Sequence, residues 1–224
     1  MGIKMELNSL TVEQTKEMLI YVGEQVMESR PLLTEVDSAI GDGDHGIGMH
    51  VGFSNAINKL TAGTYTDINS IFKEIGKAMI NNMGGASGVI FGTMFMGGVK
   101  KLESADTINL EILSTIFENG LAGVKERGKA NLGDKTMIDA LEPAVVSLKS
   151  SLNQKLDLHE ALIKAEESAA QGVENSKNYI AKFGRAKTLG DRAIGYQDAG
   201  ATTVWIIFKS MRKWVGKAEN NNNE

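Results

Sequence analysis

Apolar residues recur every third or fourth position along most of this chain, and the pattern lapses only at four polar, glycine-rich stretches. Thr11-Val12-Glu13-Gln14 has the S/T-x-x-E/Q form of a capping box, and Met18, Leu19, Val22 and Val26 follow on one face. A first helix is predicted from about Val12 to Ser29. Further stripes fall at Ile71, Phe72, Ile75, Met79 and Met83, at Leu113, Ile116, Phe117 and Leu121, and at Leu141, Val145, Leu148 and Leu152. Ala161, Leu162, Ala165, Ala169 and Gly172 form an alanine face suited to close helix contact. Val204, Ile207, Phe208, Met211 and Val215 form the last stripe. No segment shows a convincing strand pattern. The expected fold is all-α, about eight helices packed antiparallel.

The glycine-rich stretches, 37–48, 84–88, 128–136 and 184–200, fall between these stripes. In an up-and-down bundle alternate loops lie at the same end, so clusters distant in sequence converge there. That end is where a site is expected. Composition narrows what it can be. With no cysteine there is no disulfide framework, Cys-ligated zinc or thiol nucleophile. No apolar run approaches the roughly 20 residues that span a bilayer, and Met1 to Leu7 holds no apolar signal core. A cytoplasmic protein with no membrane partner is expected. A net charge of −4 spread along the chain argues against a nucleic-acid partner, which would want a basic face. The absence of a linker favours one domain over 1–217, with the Asn-rich end at 218–224 frayed.

The densest chemistry is Asp37-Ser38-Ala39-Ile40-Gly41-Asp42-Gly43-Asp44-His45-Gly46, with three carboxylates and three glycines in ten residues. Carboxylates this close repel by about 1 kcal/mol per pair in water and by several at lower effective dielectric, and a multivalent cation removes that cost. Oxygen donors without cysteine favour Mg, Ca or Mn over Zn, and Mg is usually held by a few carboxylates together with substrate phosphates. An EF-hand from Asp42 is excluded, since its fifth and twelfth positions are Gly46 and Phe53. A solvated turn is the plainer alternative.

Gly84-Gly85-Ala86-Ser87-Gly88 has almost no side chains, so its backbone N–H groups and the Ser87 hydroxyl suit an anion at a helix start; a tight helix crossing would use the same glycines. Gly133-Asp134-Lys135-Thr136 lacks the G-x-x-x-x-G run of a P-loop, and no G-x-G-x-x-G follows a strand. Gly184-Arg185-Ala186-Lys187, Gly190-Asp191-Arg192 and Gly195 to Gly200 bring two arginines, suited to phosphate or carboxylate, to the start of the last helix. Lys187 and Asp191 read as solvated charges. His159 reads as a surface residue and His50 as solvated or structural, which leaves His45, beside the carboxylates, as the histidine placed to touch a ligand.

Taken together and in order, Gly41 to Gly46, Gly84 to Gly88, Gly133 to Met137, and Gly184-Arg185 to Gln197-Asp198-Ala199-Gly200 resemble the L subunit (DhaL) family of dihydroxyacetone kinases over nearly the whole chain. The resemblance implies an eight-helix barrel that binds ADP or ATP with two Mg ions at one end. Asp37, Asp42 and Asp44 are then the metal ligands. Nucleotide contacts are implied at His45, Gly46, Ile47, Gly48, Ala86, Ser87, Gly128, Met137, Arg185, Asp198, Ala199 and Gly200. It also implies a phosphoryl relay without a covalent residue, in which bound ADP is charged by a phosphohistidine phosphotransferase-system protein (an M-type subunit) and passes the group to dihydroxyacetone on a separate K subunit. Gly48, Asp191, Tyr196 and Ala199 depart from the residues common in that family. Three other readings share these motifs: a subunit serving another ketose, the nucleotide-binding domain of fatty acid kinases, and a nucleotide sensor without turnover.

Overall fold

The computed structural model describes residues 8–221. Its elements in chain order are β1 (Ser9–Thr11), α1 (Val12–Glu28), α2 (Arg30–Ile40), α3 (His45–Ala62), α4 (Ile68–Asn82), α5 (Gly85–Gly98), β2 (Thr107–Asn109), α6 (Leu110–Gly128), α7 (Ile138–Asn153), α8 (Leu158–Ser176), a 3-10 segment (Arg185–Ala193) and α9 (Ala199–Asn221). Eight of the helices pack in sequence, α1 on α3, α3 on α4 and so on to α9, and α9 returns to α1. The result is a closed all-α ring. Thr11 caps α1 as its sequence predicts: Gln14 N–H donates to the Thr11 hydroxyl, and Thr11 N–H donates to the Gln14 side chain.

The ninth helix, α2, lies outside the ring against α3 and α9. It starts because Pro31 sits in its first turn, where a missing N–H costs nothing. Asp37 therefore stands in the last turn of a helix, a correction to the expectation that the stretch 37–48 lies wholly between helices. The strand pair is a second correction. Leu10 faces Ile108 in a three-residue antiparallel ladder that closes the end of the ring where α1 and α6 begin, and strands this short leave no readable alternation.

The predicted stripes form the core. Phe53, Phe72, Phe91, Phe95, Phe117 and Phe208 are all buried, with Phe117 and Phe208 ring centroids 4.8 Å apart. Leu152 is the stripe residue left at the surface, at the fraying end of α7. The alanine face of α8 serves close contact: a Cβ on Gly172 would overlap the carbonyl oxygen of Asp139 on α7, so no larger residue fits without parting the two helices. At the chain's end α9 runs to Asn221, further than the expected frayed tail, and the buried Glu219 pairs with His159 at 3.1 Å. His159 is therefore a partner of α9 instead of a free surface histidine. Among the described residues no helix is long and apolar enough to cross a membrane.

Candidate functional site

Because ring neighbours alternate in direction, α3, α5, α7 and α9 all begin at the end where α1, α4, α6 and α8 finish. The four glycine-rich stretches meet there and surround a cleft of ≈740 Å³. Asp37, Asp42 and Asp44 line one side, each offering a carboxylate oxygen within 4.8 Å of the others. Local glycines make this approach possible. A Cβ on Gly41 would meet the Asp37 carboxylate at 2.4 Å, and Gly43 turns the chain at φ +74° between Asp42 and Asp44. Asp37 accepts the His45 N–H at 3.2 Å, and Asp42 pairs with the exposed Arg185 guanidinium at 2.9 Å. Burial, with the charges of Asp42 and Asp37 beside it, holds the Asp44 carboxyl above the usual carboxylate range. Three converging hard-oxygen donors, one of them destabilised in its charged form, fit a divalent cation of the Mg class.

In the same cleft the 84–88 cluster divides its roles. A Cβ on Gly84 or Gly85 would meet nothing within 4 Å, and Gly85 has φ +70°, so these residues leave the start of α5 open to the cleft. Ala86 and Ser87 line it as well. Gly88 instead packs on Met83, where a Cβ would come within 2.7 Å of the Met83 Cβ. An open helix start and a tight helix contact are thus both present within five residues. The first-turn N–H groups of α3, at Gly46 and Ile47, precede any intrahelical acceptor, as at every helix start.

Of the other expected residues, His45, Ile47, Gly48, Met137, Arg185, Asp198, Ala199 and Gly200 line the cleft. Gly46 and Gly128 do not. Gly46 is buried where α3 meets α2, a Cβ there falling 2.5 Å from the Arg30 carbonyl oxygen, and Gly128 ends α6 against Ile90, itself a lining residue. His45 is buried; its Nε2 lies 2.8 Å from the Thr203 hydroxyl, and burial lowers its pKa to about 4. It is neutral at pH 7 and bears on a ligand as an uncharged wall. Lys187 and Asp191 are exposed, as expected.

Sequence reasoning missed the residues that hold the cleft together. Lys135, buried with φ +57°, donates to the Ser176 and Tyr196 carbonyls at 2.6 and 2.5 Å, tying the α6–α7 loop to the end of α8 and the approach to α9. Asp139 accepts the Gly133 and Thr136 N–H groups at 2.6 and 2.8 Å, folding that loop inward. The 133–136 motif is therefore a clamp whose lysine points away from solvent. The Thr136-x-x-Asp139 spacing, which lets a carboxylate reach back to a helix-start N–H, was the available signal.

Asp198 opens α9, accepting the Ala201 N–H at 2.7 Å. Burial pushes its pKa up to about 7, with Asp139 adding to the rise and Lys135 opposing it. A raised carboxyl makes ionisation unfavourable in the fold, so this contribution to stability is full below the ordinary pKa near 4 and is lost as pH rises toward 7. His45 has the opposite sign, losing stability as pH falls from about 6.5 to about 4. The informative quantity is therefore a difference. Without metal, Asp198→Asn should gain on the parent by on the order of a few kcal/mol between pH 4 and 7 in urea unfolding. A pH-independent difference would contradict this reading of Asp198.

A helical ring that brings an acidic cluster and glycine-rich helix starts to one end defines an all-α barrel domain with its candidate site at that end. Residues 39–213 match the DAK2 domain model, and the chain belongs to the DAK2-domain family. It is 38% identical to the ADP-binding subunit DhaL of the PEP-dependent dihydroxyacetone kinase of Escherichia coli (strain K12), over 91% of this chain and 97% of that one. Against ADP-binding subunit DhaL of PEP-dependent dihydroxyacetone kinase 1 of Listeria innocua the identity is 40%, over 84% of this chain and 89% of that one. Among solved structures, the dihydroxyacetone kinase of C. freundii in complex with AMP-PNP and Mg2+ superposes with a TM-score of 0.69 at 28% identity. That match covers 89% of this chain and 33% of the longer kinase.

Proposed function

We propose that this chain is the ADP-binding subunit of a phosphoenolpyruvate-dependent dihydroxyacetone kinase, and that its bound nucleotide relays phosphoryl groups between two partner proteins. The observation that carries this reading is that the Asp37, Asp42 and Asp44 carboxylates and the open start of α5 line one cleft. The carboxylates would hold divalent cations, and the helix start would hold phosphates. The full-length similarity to DhaL subunits supports the same role.

In this reading Asp37, Asp42 and Asp44 hold two Mg ions, which when bound neutralise phosphate charge. The N–H groups at the starts of α3 and α5 and the Ser87 hydroxyl orient the phosphates. Arg185, which lines the same cleft and pairs with Asp42, would offer its guanidinium to a phosphate oxygen. Gly48 leaves room for the nucleoside, since a Cβ there would meet only Met83 Cε, at 3.7 Å, whereas Gly200 packs on Met137 and both line the same cleft. The chain itself contributes positioning and exclusion of water, which is what phosphoryl transfer chiefly requires. In charging, the P–N bond of a phosphohistidine on an M-type donor breaks as a P–O bond forms to ADP. In discharge, that P–O bond breaks as a hydroxyl of dihydroxyacetone, held by a K subunit, takes the phosphoryl group and releases its proton.

Many phosphate and metal contacts predict a nucleotide that stays bound. Protein purified in Mg2+ should carry close to one equivalent of ADP through gel filtration, read by absorbance and chromatography after denaturation, and EDTA should release it. Nucleotide-free protein that takes up no ADP in Mg2+ would contradict the proposal.

A further inference from the structure

A second groove, of ≈1190 Å³, runs down the outer wall of the ring between α4, α5 and α6. Lys73 and Lys77 stand one turn apart on α4, Lys100 and Lys101 follow the end of α5, and Arg127 and Lys129 stand at the end of α6; one carboxylate, Glu126, accompanies them. All six cations are exposed, and among the described residues none of them forms an ion pair, whereas Lys125 and Lys149 nearby pair with Glu142 and Glu118. In a chain of net charge −4 this is a concentrated positive field in one place.

Its shape selects among anions. The floor is made of small residues, Thr93, Gly97, Ala122 and Gly123, so a partner can approach the α5 and α6 backbones. Along α6 alone the lining from Asn119 to Lys129 spans about 15 Å at 1.5 Å per residue. A trough of this length, with cations strung along it, exceeds a small-molecule pocket and suits an extended acidic surface. It also leads to the nucleotide cleft. Gly128, between Arg127 and Lys129, backs onto Ile90, which lines the cleft. The cleft's own rim exposes Ile47, Val51 and Phe183.

We propose that this groove is the docking track for an acidic face of the phosphoryl-donor protein, an inference that rests on the relay reading above. A donor that arrives, transfers and departs in every cycle is served by charge steering, which raises the association rate without a long-lived complex. The groove delivers such a partner beside the cleft without covering it.

The test is a charge reversal of four exposed residues remote from the cleft, Lys73→Glu, Lys77→Glu, Lys100→Glu and Lys101→Glu together, with helicity checked by circular dichroism. The probe is a purified phosphohistidine donor protein of a phosphoenolpyruvate-dependent dihydroxyacetone kinase, charged with labelled phosphate. At low ionic strength the donor KM for labelling bound ADP should rise at least about tenfold, with the maximal rate and ADP-Mg affinity unchanged. Added salt should raise the parent's KM and leave the variant's nearly constant. Equal donor KM and equal salt dependence in the two proteins would overturn the proposal. So would a groove that binds a single-stranded oligonucleotide in the parent only, while donor kinetics stay the same. Should the parent fail to bind ADP-Mg, the relay reading falls first, and donor binding measured by fluorescence anisotropy without nucleotide still decides the groove: loss in the variant supports it and equal binding overturns it.

Discussion

Asp42→Asn, Asp44→Asn and Asp37→Asn should each weaken ADP binding in Mg2+ by at least tenfold, on the order of 1.4 kcal/mol. The three carboxylates lie within 4.8 Å of one another, so in the proposed site loss of one charge and one ligand oxygen affects metal and diphosphate together. Asp44→Asn carries a second, opposite consequence. Its carboxyl is held above the usual range by burial and by its acidic neighbours, so without metal the variant should unfold at a higher temperature than the parent. With Mg2+ and ADP the order should reverse, because ligand that binds only the folded parent stabilises it by mass action. Asp37→Asn should not show the gain, since Asp37 accepts the His45 N–H, and Asp42→Asn gives up the Arg185 pair. Calorimetry with three variants binding ADP-Mg like the parent would remove the carboxylate cluster from the site.

The second large effect concerns division of labour. The chain alone should leave dihydroxyacetone unphosphorylated, because the cleft offers phosphate and cation contacts and its one histidine, His45, is buried and held by Thr203. Addition of a sugar-binding K subunit and a charged phosphohistidine donor should start turnover. Free ATP should replace the donor poorly, since exchange requires release of a nucleotide held through metal. A coupled assay with the two donors side by side reads this directly. Sugar phosphorylation by the chain alone would contradict the division, and rapid ATP-driven turnover with full exchange would contradict the relay.

The ring was legible because its signal is periodic and long. Each of the stripes through Phe72, Phe117, Leu148 and Phe208 forms one wall, and the alanine face of α8 marks the α7–α8 contact. Convergence of the glycine-rich stretches followed from the alternation of helix direction alone. What stayed hidden depends on contacts between segments. The β1–β2 ladder joins residues about 100 apart in sequence through three pairs, too few to impose a pattern. α1 ends at Glu28, next to the predicted limit at Ser29, but α2 beyond it went unread, because its start rests on Pro31 and a proline in a helical stripe reads equally as a kink. Lys135 looked like a failed phosphate loop because its partners, the Ser176 and Tyr196 carbonyls, are backbone atoms with no sequence signature. The same holds for Gly46, whose glycine-only position is set by the Arg30 carbonyl on a helix the periodicity does not separate.

A nucleotide that serves as a resident carrier in this cleft should be caught in the act by a single-turnover label chase. Protein loaded with ADP in Mg2+ and freed of excess nucleotide is mixed with donor carrying labelled phosphohistidine, then passed through gel filtration before and after addition of K subunit and dihydroxyacetone. Label should appear on the nucleotide that elutes with the chain and move to sugar phosphate only in the second step, while ADP remains with the protein. Label that reaches the sugar without passing through bound nucleotide, or nucleotide that leaves the chain at each transfer, would contradict the carrier role.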